Sequence, residues 1–299
     1  MRKLVLLLTI GFTHCLYAQD TELPDLDPVE NVENKEVQAT FNGTRVINGH
    51  SVETLKKRIL QFRIEHRFGD IAGTNGGVQQ FYGFDQAADI RFAFEYGISD
   101  KWMVGLGRSK GTGAPYSSLV DAFTKYRILT QAKGRMPIGL AVVGTATGTY
   151  MKKSEDLTQI SSFPKTSHRF SYSTQLLLSR KFGERISIQV MPTYVHRNFV
   201  KIDDVNGLFA VGGALNYKIT KNIGIITEYY HDFHASDVRL TNQKSLSFAF
   251  EWITSGHNFK INLTNSRGFN ETQFIPYTYA NWLDGEFRLG FSITRNFKL

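Results

Sequence analysis

The chain has 299 residues, 41% hydrophobic and 21% charged, and no apolar run approaches the roughly 20 residues that a membrane-crossing helix needs. Its formal charge of +8 is distributed along alternating segments and no nucleic-acid motif accompanies it, which excludes a nucleic-acid-binding module. The single cysteine, Cys15, excludes an internal disulfide.

Arg2 and Lys3 precede apolar Leu4 to Phe12, and Leu16-Tyr17-Ala18 ends on a small residue, the pattern of a secretory signal. Residues 1–18 are therefore expected to be a signal peptide cleaved after Ala18. Lipidation of Cys15 would want a small residue before it, and His14 is not one. Residues 20–36 carry seven acids (Asp20, Glu22, Asp25, Asp27, Glu30, Glu33, Glu36) against Lys35. With Pro24 and Pro28 and few large apolar groups, residues 19–36 read as an acidic disordered leader. Removing this −6 and the +2 of Arg2 and Lys3 from the total leaves +12 on residues 37–299.

Residues 37–57 stand apart as a lead-in or plug segment. Ser51 is placed to cap a short helix over Val52 to Lys57, with Glu53 early and Lys56 and Lys57 late, matching the helix dipole.

From residue 58 to the end, a two-residue alternation predicts twelve strands, at 58–69, 87–98, 101–109, 121–131, 137–150, 168–182, 185–197, 207–219, 222–231, 244–254, 257–266 and 285–299. In the first, Leu60, Phe62, Ile64 and Phe68 share one side with His66, while Gln61, Arg63, Glu65 and Arg67 share the other. In the last, Phe287, Leu289, Phe291, Ile293, Phe297 and Leu299 oppose Glu286, Arg288, Ser292, Thr294 and Asn296. Five short turns interleave with six long connections, as in a membrane meander with periplasmic turns and surface loops. Two stretches fit poorly: residues 138–149 are small and apolar on both sides, and Pro192 needs a bulge or an unpaired position.

A soluble sandwich or lipocalin-like barrel would alternate too. The predicted strands, however, match the roughly 9–11 residues that cross a bilayer at a tilt. A soluble barrel would have to bury the charges on their polar faces, and Tyr96, Trp102, Tyr150, Tyr194, Tyr229 and Trp252 suit interfacial girdles. The expected fold is all-β: a transmembrane antiparallel up-and-down β-barrel over residues 58–299, of about twelve strands, with ten or fourteen as the neighbouring counts.

The run Leu60-Gln61-Phe62-Arg63-Ile64-Glu65-His66-Arg67-Phe68-Gly69, then Gly83-Phe84-Asp85, Ile90 to Asp100 and Val104-Gly105-Leu106-Gly107-Arg108-Ser109, resembles an uncharacterised family of Bacteroidetes-type outer-membrane barrels. Thr44-Arg45-Val46-Ile47-Asn48 and Ser51-Val52-Glu53-Thr54-Leu55 resemble it as well. The resemblance covers residues 38–299 and implies an outer-membrane barrel without an established activity.

The polar phase of the strands points to a lumen lined by Arg63, Glu65, Arg67, Arg91, Glu95, Lys125, Arg127, Glu228, Glu251 and Arg288, with Arg169, Lys181, Lys260 and Glu286 in the same projection. Such a lining is mixed and net basic. It suits either passage of small polar or anionic solutes or a cross-braced wall that blocks flow. Asp232-Phe233-His234 has an omptin-like spacing but no second carboxylate pair, and His231, His234 and Asp237 form a weak metal candidate. Glycines 105, 107, 111 and 113 lack the Gly-Lys-Ser/Thr of a phosphate loop. No catalytic residue and no cofactor is expected. The expected partners are outer-membrane lipid, the barrel-assembly machinery and a small solute, and the expected location is the outer membrane of a Gram-negative cell. The function expected is a narrow passive channel or transport-related, porin-like barrel. A closed structural or interaction barrel that recruits periplasmic or surface partners is the alternative, and an outer-membrane enzyme the third reading.

Overall fold

Alternation along the chain resolves into twelve strands because each faces two different solvents, so every second side chain must be apolar and the others polar. The computed structural model describes residues 37, 39–86, 89–111, 115–234 and 241–299; the expected signal peptide and leader, residues 1–36, lie outside these. The strands are β1 (Ile59–Asp70), β2 (Asp89–Gly97), β3 (Trp102–Lys110), β4 (Ser118–Leu129), β5 (Gly139–Thr149), β6 (Phe170–Phe182), β7 (Ile186–Arg197), β8 (Gly207–Lys218), β9 (Ile223–Asp232), β10 (Leu246–Ile253), β11 (His257–Thr264) and β12 (Arg288–Lys298). Each pairs antiparallel with its neighbours in sequence, and β1 closes on β12. Among the described residues no helix is long and apolar enough to cross a membrane.

Register places Phe62 opposite Phe94 and Arg295, and Glu65 opposite Arg91 and Ser292, so the inward side of the β2–β1–β12 seam is polar while its outer surface carries stacked rings such as Phe62 and Phe92. His66 lies on that outer surface beside Phe291. Pro192 pairs with Val211 on β8, while the β6 ladder is open opposite Met191 and Pro192, which accommodates its missing N–H. Five short turns gather at one end with both ends of the barrel chain. Six long loops, with described residues 71–86 (L1), 111 and 115–117 (L2), 150–169 (L3), 198–206 (L4), 233–234 and 241–245 (L5) and 265–287 (L6), gather at the other.

Twelve strands enclose more space than wall side chains fill, since eight already bring a barrel to the size they can pack. Here the chain itself supplies the filling. Residues 40–57 enter from the short-turn end, turn at Val46–Gly49 and return to β1, while L6 folds inward from the long-loop end and carries a one-turn helix α1 (Glu271–Phe274). The stretch 52–57 contains no helix, contrary to the expectation from Ser51. The Val52 N–H goes to Gln189 Oε1 at 2.8 Å and the Lys57 N–H to Asp100 Oδ1 at 2.9 Å, so tertiary partners take the donors a helix start would leave unpaired.

The small apolar residues on the inner side of β5, Ala141 and Val143, now have a role. Together with Leu177, Met191, Leu208 and Ala210 they form an apolar half of the wall, against which Val46, Ile47, Val52 and Leu55 of the finger and Phe274 and Ile275 of L6 pack.

Candidate functional site

The opposite half of the lumen is ionic, and its geometry begins with fixed wall pairs. Arg91 forks onto Asp121 (Nε–Oδ1 3.0 Å, Nη2–Oδ2 2.6 Å) and reaches Glu65 at 2.6 Å. Arg63 Nε donates to Glu95 at 3.1 Å, Lys260 lies 3.4 Å from Glu251, and Arg288 lies 2.5 Å from Asp70. All of these wall groups are buried. Such pairs are held only where the remaining lone pairs and protons are also satisfied, because desolvating each ion costs several kcal/mol.

Two wall charges outside this pairing, Lys125 and Glu228, and the already paired Lys260 converge on the main chain of the finger. Lys125 Nζ donates to the carbonyls of Thr44, Ser51 and Glu53 at 2.7, 2.9 and 2.8 Å. Lys260 Nζ donates to the carbonyls of Arg45 and Val46, both at 2.7 Å. Glu228 accepts the N–H groups of Ile47, Asn48 and Gly49 at 3.1, 3.0 and 3.1 Å. Gln189 also accepts from Val52 N–H and donates to His50 O, each at 2.8 Å. Side chains complete the seat: Thr44 donates to Glu95 at 2.6 Å, Asn42 to Glu251 at 2.7 Å, and Arg127 to Glu53 at 2.9 Å.

Arg67 joins the finger to L6, donating to Asn48 Oδ1 on one side and to Ser266 O (3.0 Å) and Gly268 O on the other. Its guanidinium also lies 4.5 Å over the Phe269 ring. Arg45 at the finger turn reaches Phe269 O at 3.3 Å, so the two inserted segments meet. Burial, then nearby Arg45 and Lys125, hold the His50 imidazole well below its ordinary value, and the ring packs edge-on against Phe123 at 4.5 Å. Cavities of about 450 Å³, beside Glu53, Gln61 and Asn296, and about 640 Å³, beside Asn42, Lys181 and Lys218, remain at the short-turn mouth around the finger.

Gly49 sits where a Cβ would fall inside the Tyr230 hydroxyl, and that ring is fixed against Phe274 at 4.9 Å. Gly49→Ala is expected to unseat the turn, read as new proteolytic cleavage at Arg45 in otherwise folded barrel; an unchanged digest would contradict the seating. At the base of the finger, Asp100 accepts from Lys57 N–H at 2.9 Å and from Lys56 Nζ at 3.3 Å. These two bonds, the main-chain one foremost, lower the Asp100 carboxyl below its usual range. A depressed carboxylate contributes its bonds above its unfolded value and loses them as pH falls through the folded one. The base contact should therefore survive at neutral and mildly acidic pH and release only in stronger acid, measured as solvent exchange of the Lys57 amide. Release near neutrality would contradict this sign.

The structure brings Arg63, Glu65, Arg67, Arg91, Glu95, Lys125, Glu228, Glu251 and Arg288 to the inner wall, with Arg127 partly buried at the short-turn mouth. Arg169 and Glu286 belong instead to loops outside the strands, Arg169 capping carbonyls in L3 and Glu286 accepting from Asn281 N–H. Asp70, Asp89 and Asp121, which the projection omitted, also face inward and offset much of the expected basic excess. Asp232 and His231 lie on opposite faces of β9. Asp232 pairs with Lys244, and His234 stacks on exposed Phe209, so the omptin-like pair is not assembled. Asp237 lies outside the described residues, and among those described no His/Cys/Asp/Glu group could hold a metal.

The model of a family described as "Membrane bound beta barrel domain (DUF5777)" matches residues 41–297. The chain is similar in fold to the KdgM porin, at 8% identity and TM-score 0.48 over 80% of this chain and 99% of that one. It is similar also to the COG4313 outer membrane channel from Pseudomonas putida F1, at 13% identity and TM-score 0.43 over 82% and 98%. No curated protein matches.

Proposed function

Because the chain belongs to this family of membrane-bound β-barrel domains, we propose that it is a gated outer-membrane channel for small polar or anionic solutes, closed in this structure by its own finger. The observation that carries this reading is the set of eight wall-to-backbone hydrogen bonds from Lys125, Lys260 and Glu228. Hydrogen bonds to charged groups contribute about 1.5–3 kcal/mol each, so the set is worth on the order of 10 kcal/mol. At about 1.4 kcal/mol per tenfold, thermal opening is negligible. The passive passage expected from sequence becomes one that needs an input.

Both ends of the finger lie at the short-turn mouth, so it can withdraw without breaking any strand. Short turns belong on the periplasmic side in such barrels, which places the input there. Withdrawal would expose five wall cations that hold the finger, Arg63, Arg67, Lys125, Arg127 and Lys260, and three carboxylates, Glu95, Glu228 and Glu251, a modest bias toward anions. A lumen meant only as a core would be more stable with apolar packing than with buried ion pairs; an ionic lining suits a path that is wet when open. The same occlusion favours a second reading, the closed interaction barrel. Planar-bilayer recordings separate them. A channel gives conductance steps once the finger is removed, with a reversal potential favouring anions that shifts when Lys125 and Lys260 are neutralised, whereas a closed scaffold stays silent.

A further inference from the structure

The extracellular-type loops L1 and L6 place large apolar side chains on the outside of the barrel, beyond the strands. In L1, Phe81 and Val78 are 63% and 75% exposed, and Tyr82 and Phe84 are exposed beside them. The backbone holds Phe81 and Tyr82 at φ 43° and 54°, a left-handed conformation that aromatic residues adopt only when their surroundings impose it. From residue 71 to 88 the chain has one charged residue, Asp85.

The loop does not stand free of the wall. Phe84 packs on Phe68 of β1 at 4.9 Å, and Phe68 meets Phe291 of β12 at 6.3 Å, so the loop continues the strip of rings on the outer face of the β1–β12 seam. L6 repeats the arrangement one strand pair further on. Trp282 stacks on Phe287 at 4.8 Å and meets Phe248 of β10 edge-on at 5.7 Å, while Leu283 is 93% exposed. The Ile71 N–H donates to Phe287 O at 2.8 Å, which ties the two loops into one rim.

We propose that this L1–L6 rim is a lipid-binding surface, seated among the acyl chains of the leaflet at the long-loop end on the β10–β1 side. Continuity with the lipid-facing belt identifies the occupant: the rim's rings touch wall rings that already face lipid, and burying apolar area stabilises by about 25 cal/mol per Å². Contiguous exposed apolar patches of this kind mark interaction surfaces. The Trp282 indole N–H is satisfied by Leu246 O at 3.0 Å, as a ring at a membrane interface requires. L6 also carries α1, so the seat fixes the outer arm of the segment whose inner arm fills the lumen. The proposal does not rest on the gating reading.

The test is site-directed spin labelling of the full chain in phosphatidylcholine vesicles, on a Cys15→Ser background. Phe81→Cys and Leu283→Cys are compared with Phe94→Cys on the lipid-facing wall and Leu157→Cys in L3. The proposal expects labels at 81 and 283 to collide preferentially with oxygen over a water-soluble nickel chelate, as at 94. Chelate collisions equal to those at 157 would overturn it by placing the rim in water. Shielding from both reagents would overturn it in favour of a protein contact. A heat-dependent gel shift confirms that each variant is folded.

Discussion

Barrel lacking residues 1–57 is expected to form ion-conducting channels in planar bilayers where the intact protein forms none. The finger occupies the lumen from the short-turn mouth to its turn at Val46–Gly49, where Glu228 holds three successive N–H groups. Its removal leaves Lys125, Lys260 and Glu228 facing water, which solvates them readily, so the wall should persist. L6 still fills the outer half, with α1 against β6 and β7 and Asn270 donating to Asp121 at 3.2 Å. Steps should therefore be small with the finger alone removed, and larger when residues 266–280 are also replaced by a short Gly/Ser turn. Silence from both folded variants would favour the closed scaffold.

Arg91→Met is expected to destabilise the barrel by about 3–5 kcal/mol, the cost of stranding a buried partner charge. Here two carboxylates, Glu65 and Asp121, lose one guanidinium that contacts both at 2.6 Å. Lysine would restore the charge without the fork, so Arg91→Lys should recover only part of the loss. Room for the fork is left by Gly107, where a Cβ would meet Arg91 Nη2 at 2.5 Å and Asp121 Oδ1 at 2.7 Å. The triple replacement Arg91→Met, Glu65→Leu and Asp121→Leu should be far less harmful than Arg91→Met alone, because no charge is then left unpaired. Denaturant midpoints read by the heat-dependent gel shift measure all three. A single variant as stable as the parent would show that the pairs are hydrated, not buried.

The wall was legible because lipid on one side and a polar lumen on the other impose a period of two over whole strands. Leu60 to Phe68, apart from His66, and Leu246 to Trp252, apart from Ala249, display it. Where it broke, the sequence was signalling the filling. Ala141 and Val143 are small and apolar inside because Val46, Val52 and their neighbours pack on that side of the lumen, a contact between segments some 90 residues apart that periodicity cannot encode. The Ser51 signal predicted a helix because local capping rules ignore partners such as Gln189 and Asp100, more than 40 residues away. The finger's anchorage was illegible for a related reason: Lys125 and Glu228 bind main-chain atoms, which every sequence offers alike. Asp121 was overlooked because it stood at the expected edge of its strand, which in fact begins at Ser118.

Disulfide trapping in native membranes tests the central claim most directly. Asn48 Nδ2 donates to Ser247 Oγ at 2.8 Å, joining the finger turn to the wall of β10. On a Cys15→Ser background, Asn48→Cys with Ser247→Cys should cross-link in nearly all molecules, and the trapped barrel should stay silent in bilayers. Free thiols at both positions, reactive toward a membrane-impermeant maleimide in intact cells, would contradict a finger seated in the lumen.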